Sequence, residues 1–338
     1  MPDCDAPPAA LGLRQKQQDQ DPPMTDHRTR LIEAVRAAWR DAAPGLGLDP
    51  QRAMTQILSA RRETGGGRIV ARITPEDAPD SLILKLRLGA KPDTLEQAVR
   101  AYTGSATSLA GQAGLAVPRL IMSLPSHHAL ILSHSPGLDA RSLLADSTDP
   151  ADHVPVLRAA GQWLSALHRG QPAPPAPFDP APALRRLARK ARAPRASAAR
   201  TLAPEALQTL AAPLHDRPLR SAVIHGDMTL GNLLIAPDRI TGIDLENDRP
   251  APVARDLSML LVDHEIWFGP RPAAIAAFWQ AYGEDLQNDP ALRFFIALRL
   301  ARLWREMPAD PRRSPPRRAH VWAGLQAMTA RLEADGAG

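Results

Sequence analysis

The chain has 338 residues, 44% of them hydrophobic, which is enough to build two lobes around a shared cleft. Only four of its 41 basic residues are lysines, so the net charge of +5 reflects heavy use of arginine and is weak evidence for nucleic-acid binding. The single cysteine, Cys4, excludes an internal disulfide and a thiolate metal site. The sequence has no apolar run of ~20 residues and no signal-peptide pattern. We therefore expect a cytoplasmic protein without nucleic-acid or membrane partners.

The N-terminal segment changes character near Met24. Residues 1–23 are rich in Pro, Gln and Asp without periodicity, which predicts a disordered tail and makes Met24 a candidate native start. A helix is predicted after it, because apolar residues recur at helical spacing: Leu31, Val35, Ala38, Trp39 and Ala42.

A glycine turn follows between two predicted strands at residues 51–62 and 68–74. Glycine permits positive φ and lets backbone N–H groups approach phosphate oxygens closely. Gly65, Gly66 and Gly67 are therefore candidates for covering the phosphates of a nucleotide. The alternative is a flexible hairpin tip with no ligand.

The next strand, predicted at residues 81–88, alternates four leucines on one face with Lys85 on the other. In a chain that uses arginine almost everywhere, a lysine here suggests a site that needs a compact ammonium group for nucleotide phosphates. A solvent-facing strand residue is the alternative. The helix predicted from Pro92 carries Glu96, which either holds Lys85 or forms a capping box with Asp93.

A short strand is predicted at residues 129–133, and the segment that follows it, Ser133-His134-Ser135-Pro136-Gly137, is predicted to be a hinge. This hinge divides an N-terminal lobe, residues 24–134, from a C-terminal lobe, residues 135–335. In the second lobe we predict an amphipathic helix at 153–168 in which His168 is structural, and a proline-rich connector at 172–182. The basic run at 185–200 is interpreted as a solvated helix face rather than an anion site.

A hairpin with two oxygen-bearing side chains is predicted near residue 240. The apolar runs 233–236 and 240–243 flank Pro237-Asp238-Arg239, a turn composition. A three-residue turn would place residue 236 opposite 240 and Asn232 opposite Asp244, with Cα atoms roughly 5 Å apart. Such amide and carboxylate oxygens suit Mg²⁺. Asp227, five residues before Asn232, would remain free for an incoming hydroxyl.

The motif His225-Gly-Asp227-x-x-x-x-Asn232, followed by Ile243-Asp244-Leu245-Glu246, resembles the aminoglycoside phosphotransferase and choline kinase family. Leu245 replaces the aromatic residue usual in that family, at a position that contributes packing. The resemblance implies an α+β, bilobal, protein-kinase-like fold, with a small β-rich N-lobe and a larger, mainly helical C-lobe. It also implies that a purine would bond to the backbone of the hinge at residues 133–137. Residues 254–258 resemble a further family element, in which Asp256 would cap a helix and brace the catalytic loop.

The resemblance also implies a division of labour in phosphoryl transfer. Lys85 would grip the α- and β-phosphates of ATP or GTP, and Asn232 with Asp244 would hold Mg²⁺. Asp227 would orient the hydroxyl of a small acceptor (a sugar, amino sugar or amino alcohol) and accept its proton. His225 would support the loop.

Two other classes are weighed against a small-molecule kinase. A nucleotide-binding pseudokinase would be expected to lack one of Lys85, Asp227, Asn232 and Asp244, but all four are present. A protein kinase would be expected to carry an Ala-Pro-Glu element after Asp244, and there is none. The many arginines and few acids of residues 290–320 favour a neutral or anionic acceptor such as a sugar. Choline would need an aromatic cage, for which the candidates are Trp267, Trp279 and Trp304.

Overall fold

The computed structural model describes residues 25–63, 66–191, 204–306 and 316–334. The predicted tail, Thr64, Gly65 and the end of the basic run after residue 191 lie outside these ranges.

The N-terminal half forms a five-stranded antiparallel sheet in the order β1-β2-β3-β6-β5. Its elements are α1 (Thr25–Ala42), β1 (Ala53–Glu63), β2 (Gly66–Pro75), β3 (Leu82–Leu88), α2 (Pro92–Leu109), β4 (Leu115–Ala116), β5 (Leu120–Leu124) and β6 (Ala129–Ser133). The predicted apolar faces are confirmed: Leu31 and Val35 of α1 and Leu84 and Leu86 of β3 are buried in one core. Burial of this stripe against the sheet is what holds α1 in place.

The C-terminal half is mainly helical. Its elements are β7 (Leu138–Asp139), α3 (Ala140–Ala145), α4 (His153–Gly170), β8 (Pro172–Pro177), α5 (Ala181–Ala191), α6 (Pro204–Ala211), β9 (Pro218–Val223), β10 (Leu233–Ala236), β11 (Arg239–Gly242), β12 (Pro250–Pro252), α7 (Ala254–Phe268), α8 (Pro272–Tyr282), α9 (Pro290–Glu306) and α10 (Pro316–Ala334). A second, larger core includes Trp163, Phe278, Tyr282 and Phe294. The α+β architecture with a β-rich N-terminal and a helical C-terminal part is thus confirmed.

The proline-rich segment after α4 was predicted to be a connector, and this prediction is wrong. The segment forms the edge strand β8. It pairs antiparallel with β9 in a three-stranded sheet of order β12-β9-β8. Prolines are tolerated in an edge strand because they can occupy the positions at which an N–H group would face solvent and not the neighbouring strand. This small sheet holds β9, whose end leads into the predicted catalytic loop.

The predicted hairpin is present as β10 and β11, but its predicted register is wrong by one residue. Ala236 pairs with Arg239, so the turn has two residues, the commonest length for a hairpin. Asn232 therefore lies opposite Ile243, whose N–H donates to the Asn232 carbonyl at 2.9 Å, and not opposite Asp244. Asp244 itself has a φ of 70°, so the chain leaves strand geometry before it and the alternation of faces no longer applies.

Among the residues that the structure describes, no helix has both the length and the apolar character needed to cross a membrane.

Candidate active site

The loop that follows β9 is held in place by hydrogen bonds to one buried carboxylate. Asp256, in the first turn of α7, accepts hydrogen bonds from the backbone N–H groups of His225 (2.7 Å) and Gly226 (2.8 Å). His168 of α4 lies 3.2 Å from the same carboxylate, and its other ring nitrogen lies 3.0 Å from the Tyr282 hydroxyl. The expected bracing role of Asp256 and structural role of His168 are confirmed. The expected helix cap is wrong, because Asp256 bonds to the loop and not to α7.

His225 ties this loop to the hairpin. Its Nδ1 accepts the N–H of Asp227 at 3.3 Å, so its Nε2 carries the proton and donates to the carbonyl of Ile243 at 2.8 Å. The ring is buried and meets Trp163 edge to face. Gly226, between His225 and Asp227, has a φ of 86°, a conformation that glycine adopts without strain. The turn therefore aims Asp227 away from the packed side of the loop.

Asp227 is exposed to solvent. Packing around it raises its pKa above the usual aspartate range, while His225 and Arg299 act to lower it. Asn232 donates from Nδ2 to the Asp227 carbonyl at 2.8 Å, which leaves the amide oxygen of Asn232 as its acceptor atom. Asp227 and Asn232 are thus brought together as predicted.

Asp244 lies within reach of two cations from the N-terminal sheet. Lys85 Nζ is 2.5 Å from Asp244 Oδ1, and Arg68 contacts the same oxygen. Burial acts to raise the pKa of Asp244, but the two cations outweigh it and hold the pKa well below its usual range. Burial acts to lower the pKa of Lys85, yet Tyr102 and Asp244 raise it above its usual value. Both groups are therefore charged at neutral pH.

The predicted pairing of Glu96 with Lys85 is wrong. Glu96 is largely exposed on α2 and pairs with Arg100 at 3.6 Å, while Lys85 contacts Asp244 and the Tyr102 hydroxyl (3.3 Å). The alternative capping box is also not formed, since α2 begins after Lys91 without a side-chain cap. The residue of α2 that faces the lysine is Tyr102, six residues beyond Glu96.

The glycine turn falls partly outside the described residues. Gly66 and Gly67 are the first residues of β2, and Gly65 is not described. A side chain at Gly66 would collide with the carbonyl of Leu88, so close strand packing already requires glycine there. The proposed contact of these glycines with phosphates stays a prediction.

The model of the phosphotransferase enzyme family matches residues 58–295, more than two thirds of the chain. The chain belongs to this family. It is therefore a phosphotransferase, and the matched region contains the loop, the hairpin and Lys85. No curated protein sequence is significantly similar to it.

Solved structures of phosphotransferases share its fold. The macrolide 2′-phosphotransferase of Brachybacterium faecium is 23% identical, with a TM-score of 0.52 over 89% of this chain and 96% of that one. A choline/ethanolamine kinase family protein of Mesorhizobium loti is 15% identical, with a TM-score of 0.53 over 88% and 99%. A spectinomycin phosphotransferase is 16% identical, with a TM-score of 0.54 over 88% and 98%.

In this phosphotransferase, two arginines of the N-terminal sheet join the site, and sequence reasoning missed both. Arg68 of β2 and Arg87 of β3 are partners in the ladder, and each lies 3.2 Å from a Glu246 oxygen. The signal was strand alternation, which puts Arg68 and Arg87 on the same face as Lys85 once the register is known. The site of this phosphotransferase is consequently more basic than Lys85 alone suggested.

The donor set of the phosphotransferase fits a magnesium ion. The amide oxygen of Asn232 is not used in its hydrogen bond to Asp227. Asp244 is ionised, and it directly follows Ile243, whose N–H bonds to the Asn232 carbonyl. These are hard oxygen ligands of the kind Mg²⁺ takes from proteins while keeping waters and phosphate oxygens for its other positions. Asn232 and Asp244 would hold the ion, which would supply charge neutralisation on the phosphates.

Proposed function

We propose that the chain is an ATP- and Mg²⁺-dependent kinase that transfers the γ-phosphate to a hydroxyl group of a small acceptor. The observation that supports this proposal is a chain of contacts: Asn232 bonds to the carbonyl of Asp227 and to Ile243, and the residue after Ile243, Asp244, pairs with Lys85. The spectinomycin phosphotransferase of the same fold has been solved with ADP and its acceptor, which supports a nucleotide here.

Asp227 acts on the acceptor. It accepts the proton of the hydroxyl whose oxygen attacks the γ-phosphorus, the bond from that phosphorus to the β–γ bridging oxygen breaks, and ADP leaves with the bridging oxygen. Packing around Asp227 raises its pKa, which makes the ionised carboxylate a stronger base. The loop beneath it is fixed by Asp256, which keeps the carboxylate in position.

The nucleotide phosphates meet the basic face formed by Arg68, Lys85 and Arg87. Lys85 is pre-positioned by Asp244 and Tyr102, so its ammonium is held before any ligand arrives. Arg68 forms an ion pair with Asp244. When the nucleotide binds, a metal ion would take the place of Arg68 at Asp244, and a phosphate would take the place of Asp244 at Arg68.

The acceptor is small, and the three tryptophans considered for a choline cage do not form one together. Trp279 and Trp304, two of the three candidates for an aromatic cage, are buried in the core. The third, Trp267, has Arg141 over its ring at 5.2 Å, so a cation of the protein already lies against that ring.

The same ion pair between Arg68 and Asp244 favours one rival, a nucleotide-sensing pseudokinase that never binds metal. The experiment that separates a kinase from a pseudokinase measures ADP formation from ATP and Mg²⁺. It is carried out with a panel of acceptors: sugars, hydroxy acids, amino alcohols and aminoglycosides. We expect turnover with at least one acceptor class, and loss of metal-dependent ATP binding in Asp244→Asn but not in Asp238→Asn, a control in the exposed hairpin turn. ATP binding without turnover in the whole panel and without metal dependence would establish the pseudokinase instead.

A further inference from the structure

Three arginines cluster near the catalytic loop on two helices that pack against each other, α7 and α9. Arg255 opens α7, and its guanidinium lies 3.4 Å from the carbonyl of Gly226 in the catalytic loop. Arg299 and Arg302 stand one turn apart on α9, hence on one face of that helix. Arg299 is near enough to Asp227 to act on the pKa of its carboxyl group.

These arginines lack the acidic partners that other arginines of the protein have. Arg141, for comparison, is paired with Asp263 at 2.8 Å. Within the described ranges, no carboxylate forms an ion pair with Arg255, Arg299 or Arg302. The Nε atoms of Arg255 and Arg299 are buried there without a hydrogen-bond partner.

These three charges repel one another, and Arg186 of α5 adds to the repulsion. Burial, followed by the nearby Arg255, Arg186 and Arg299, lowers the pKa of Arg302, and Glu306 offsets this only in part. Clustering like charges in a half-buried position opposes folding unless an opposite charge joins them. Such a cluster near the catalytic loop has a place ready for an anion.

We propose that Arg255, Arg299 and Arg302 form an anion subsite for the acceptor, which therefore carries a carboxylate or phosphate group besides the hydroxyl presented to Asp227. This rests on the proposed function and narrows its acceptor class. Guanidinium groups bind carboxylates and phosphates through paired hydrogen bonds, which would also fix the orientation of the acceptor. A polycationic acceptor would be repelled from the same place.

Sulfate is the probe for a binding test that needs no known acceptor. The protein is first saturated with a non-hydrolysable ATP analogue and Mg²⁺, so that the phosphate-binding face of the sheet is filled. Sodium sulfate is then titrated against sodium chloride at equal ionic strength, and the Tm is followed. We expect sulfate to raise the Tm of the wild type, and R299Q/R302Q to need at least about tenfold more sulfate for the same shift.

Two control proteins keep this test decisive. Arg158→Gln removes one exposed arginine on α4 and should titrate like the wild type. R299K/R302K keeps both charges but loses the paired hydrogen bonds, so its response should lie between the other two. Equal sulfate responses in the wild type and R299Q/R302Q, or no response in the wild type, would overturn the subsite.

Turnover gives the second test. Glucuronate and glucose differ by a carboxylate, and the same comparison extends to other sugars with and without an acidic group. We expect higher kcat/KM for the acidic members and a selective loss, about 10- to 100-fold, in R299Q/R302Q. Turnover of neutral acceptors only would sink the anion subsite and leave the kinase standing. Failure of the ATP analogue to raise the Tm would count against the kinase, while the sulfate comparison would still decide the subsite.

Discussion

At the scale of single residues, Asp227 and Asp244 show how surroundings divide two aspartates between different tasks. Asp244 is held ionised by Lys85 and Arg68, so it suits a permanent role as a ligand of a cation. Asp227 has no such partner at bonding distance among the described residues, and its pKa is raised by the packing around it. A carboxylate with a raised pKa is the better proton acceptor of the two.

Asp227→Asn should separate binding from chemistry. The amide cannot accept the proton, so we expect kcat to fall about 10²- to 10⁴-fold while the Kd of the Mg²⁺–nucleotide complex stays unchanged. The fold should not suffer, because Asp227 is exposed and its carboxylate forms no ion pair among the described residues. Steady-state kinetics, nucleotide titration and a thermal melt check the three parts. A variant that retains kcat would remove Asp227 from the proton-transfer role.

At the scale of elements, the catalytic loop depends on α7 more than on its own strand. Both oxygens of Asp256 accept backbone N–H groups of the loop, so the first turn of α7 acts as a platform for residues 225–227. His168 connects this platform to α4 and Tyr282 at the end of α8. The geometry of the site is thus set by three helices of the larger core.

Asp256→Asn should therefore be costly although it conserves shape. Either orientation of the amide would place its NH₂ group against a donor that now meets an oxygen. We expect the free energy of unfolding to fall by about 3 kcal/mol and kcat to fall with it. Urea unfolding measures the first effect, with Asp80→Asn, an exposed aspartate, as the control. Wild-type stability in Asp256→Asn would mean that the loop is held by other contacts.

Local pattern predicted the elements, and long-range contact decided what the sequence missed. The periodicity of α1, the leucine face of β3 and the position of the hairpin were readable because each depends on neighbours in sequence. The hairpin register depends on whether the turn has two or three residues, and composition does not distinguish the two lengths. The meeting of Arg68 with Asp244 spans 176 residues, and the failure of Glu96 depends on how α2 is rotated over the sheet. Neither has a local signal.

At the scale of the whole molecule, ion pairs join the N-terminal sheet to the segment after the hairpin. Lys85 and Arg68 reach Asp244, Arg68 and Arg87 reach Glu246, and Arg100 of α2 reaches Asp248 at 2.7 Å. The two halves are therefore held closed by charges that line the cleft itself. A ligand that brings its own charges to the cleft changes the same contacts that hold the halves together.

This arrangement predicts a stability window with two limits. The pKa of Asp256 is lowered because the attraction and hydrogen bond of His168 outweigh burial, and that of Asp244 is lowered by Lys85 and Arg68. Groups with a lowered pKa stabilise the fold above the unfolded value of about 3.9, and this contribution is lost as the pH falls through the folded pKa. Lys85 has a raised pKa, so its contribution is complete below about 10.4 and is lost as the pH rises through the folded value.

The measurement is the urea unfolding midpoint across pH at constant ionic strength. We expect a plateau around neutrality, a fall below about pH 4 and a second fall above about pH 10.4. Asp244→Asn should flatten part of the acid fall, and it should also weaken the alkaline fall because Lys85 loses the carboxylate that raises its pKa. An alkaline limb identical in the wild type and Asp244→Asn would show that the Lys85–Asp244 pair does not join the two halves in solution.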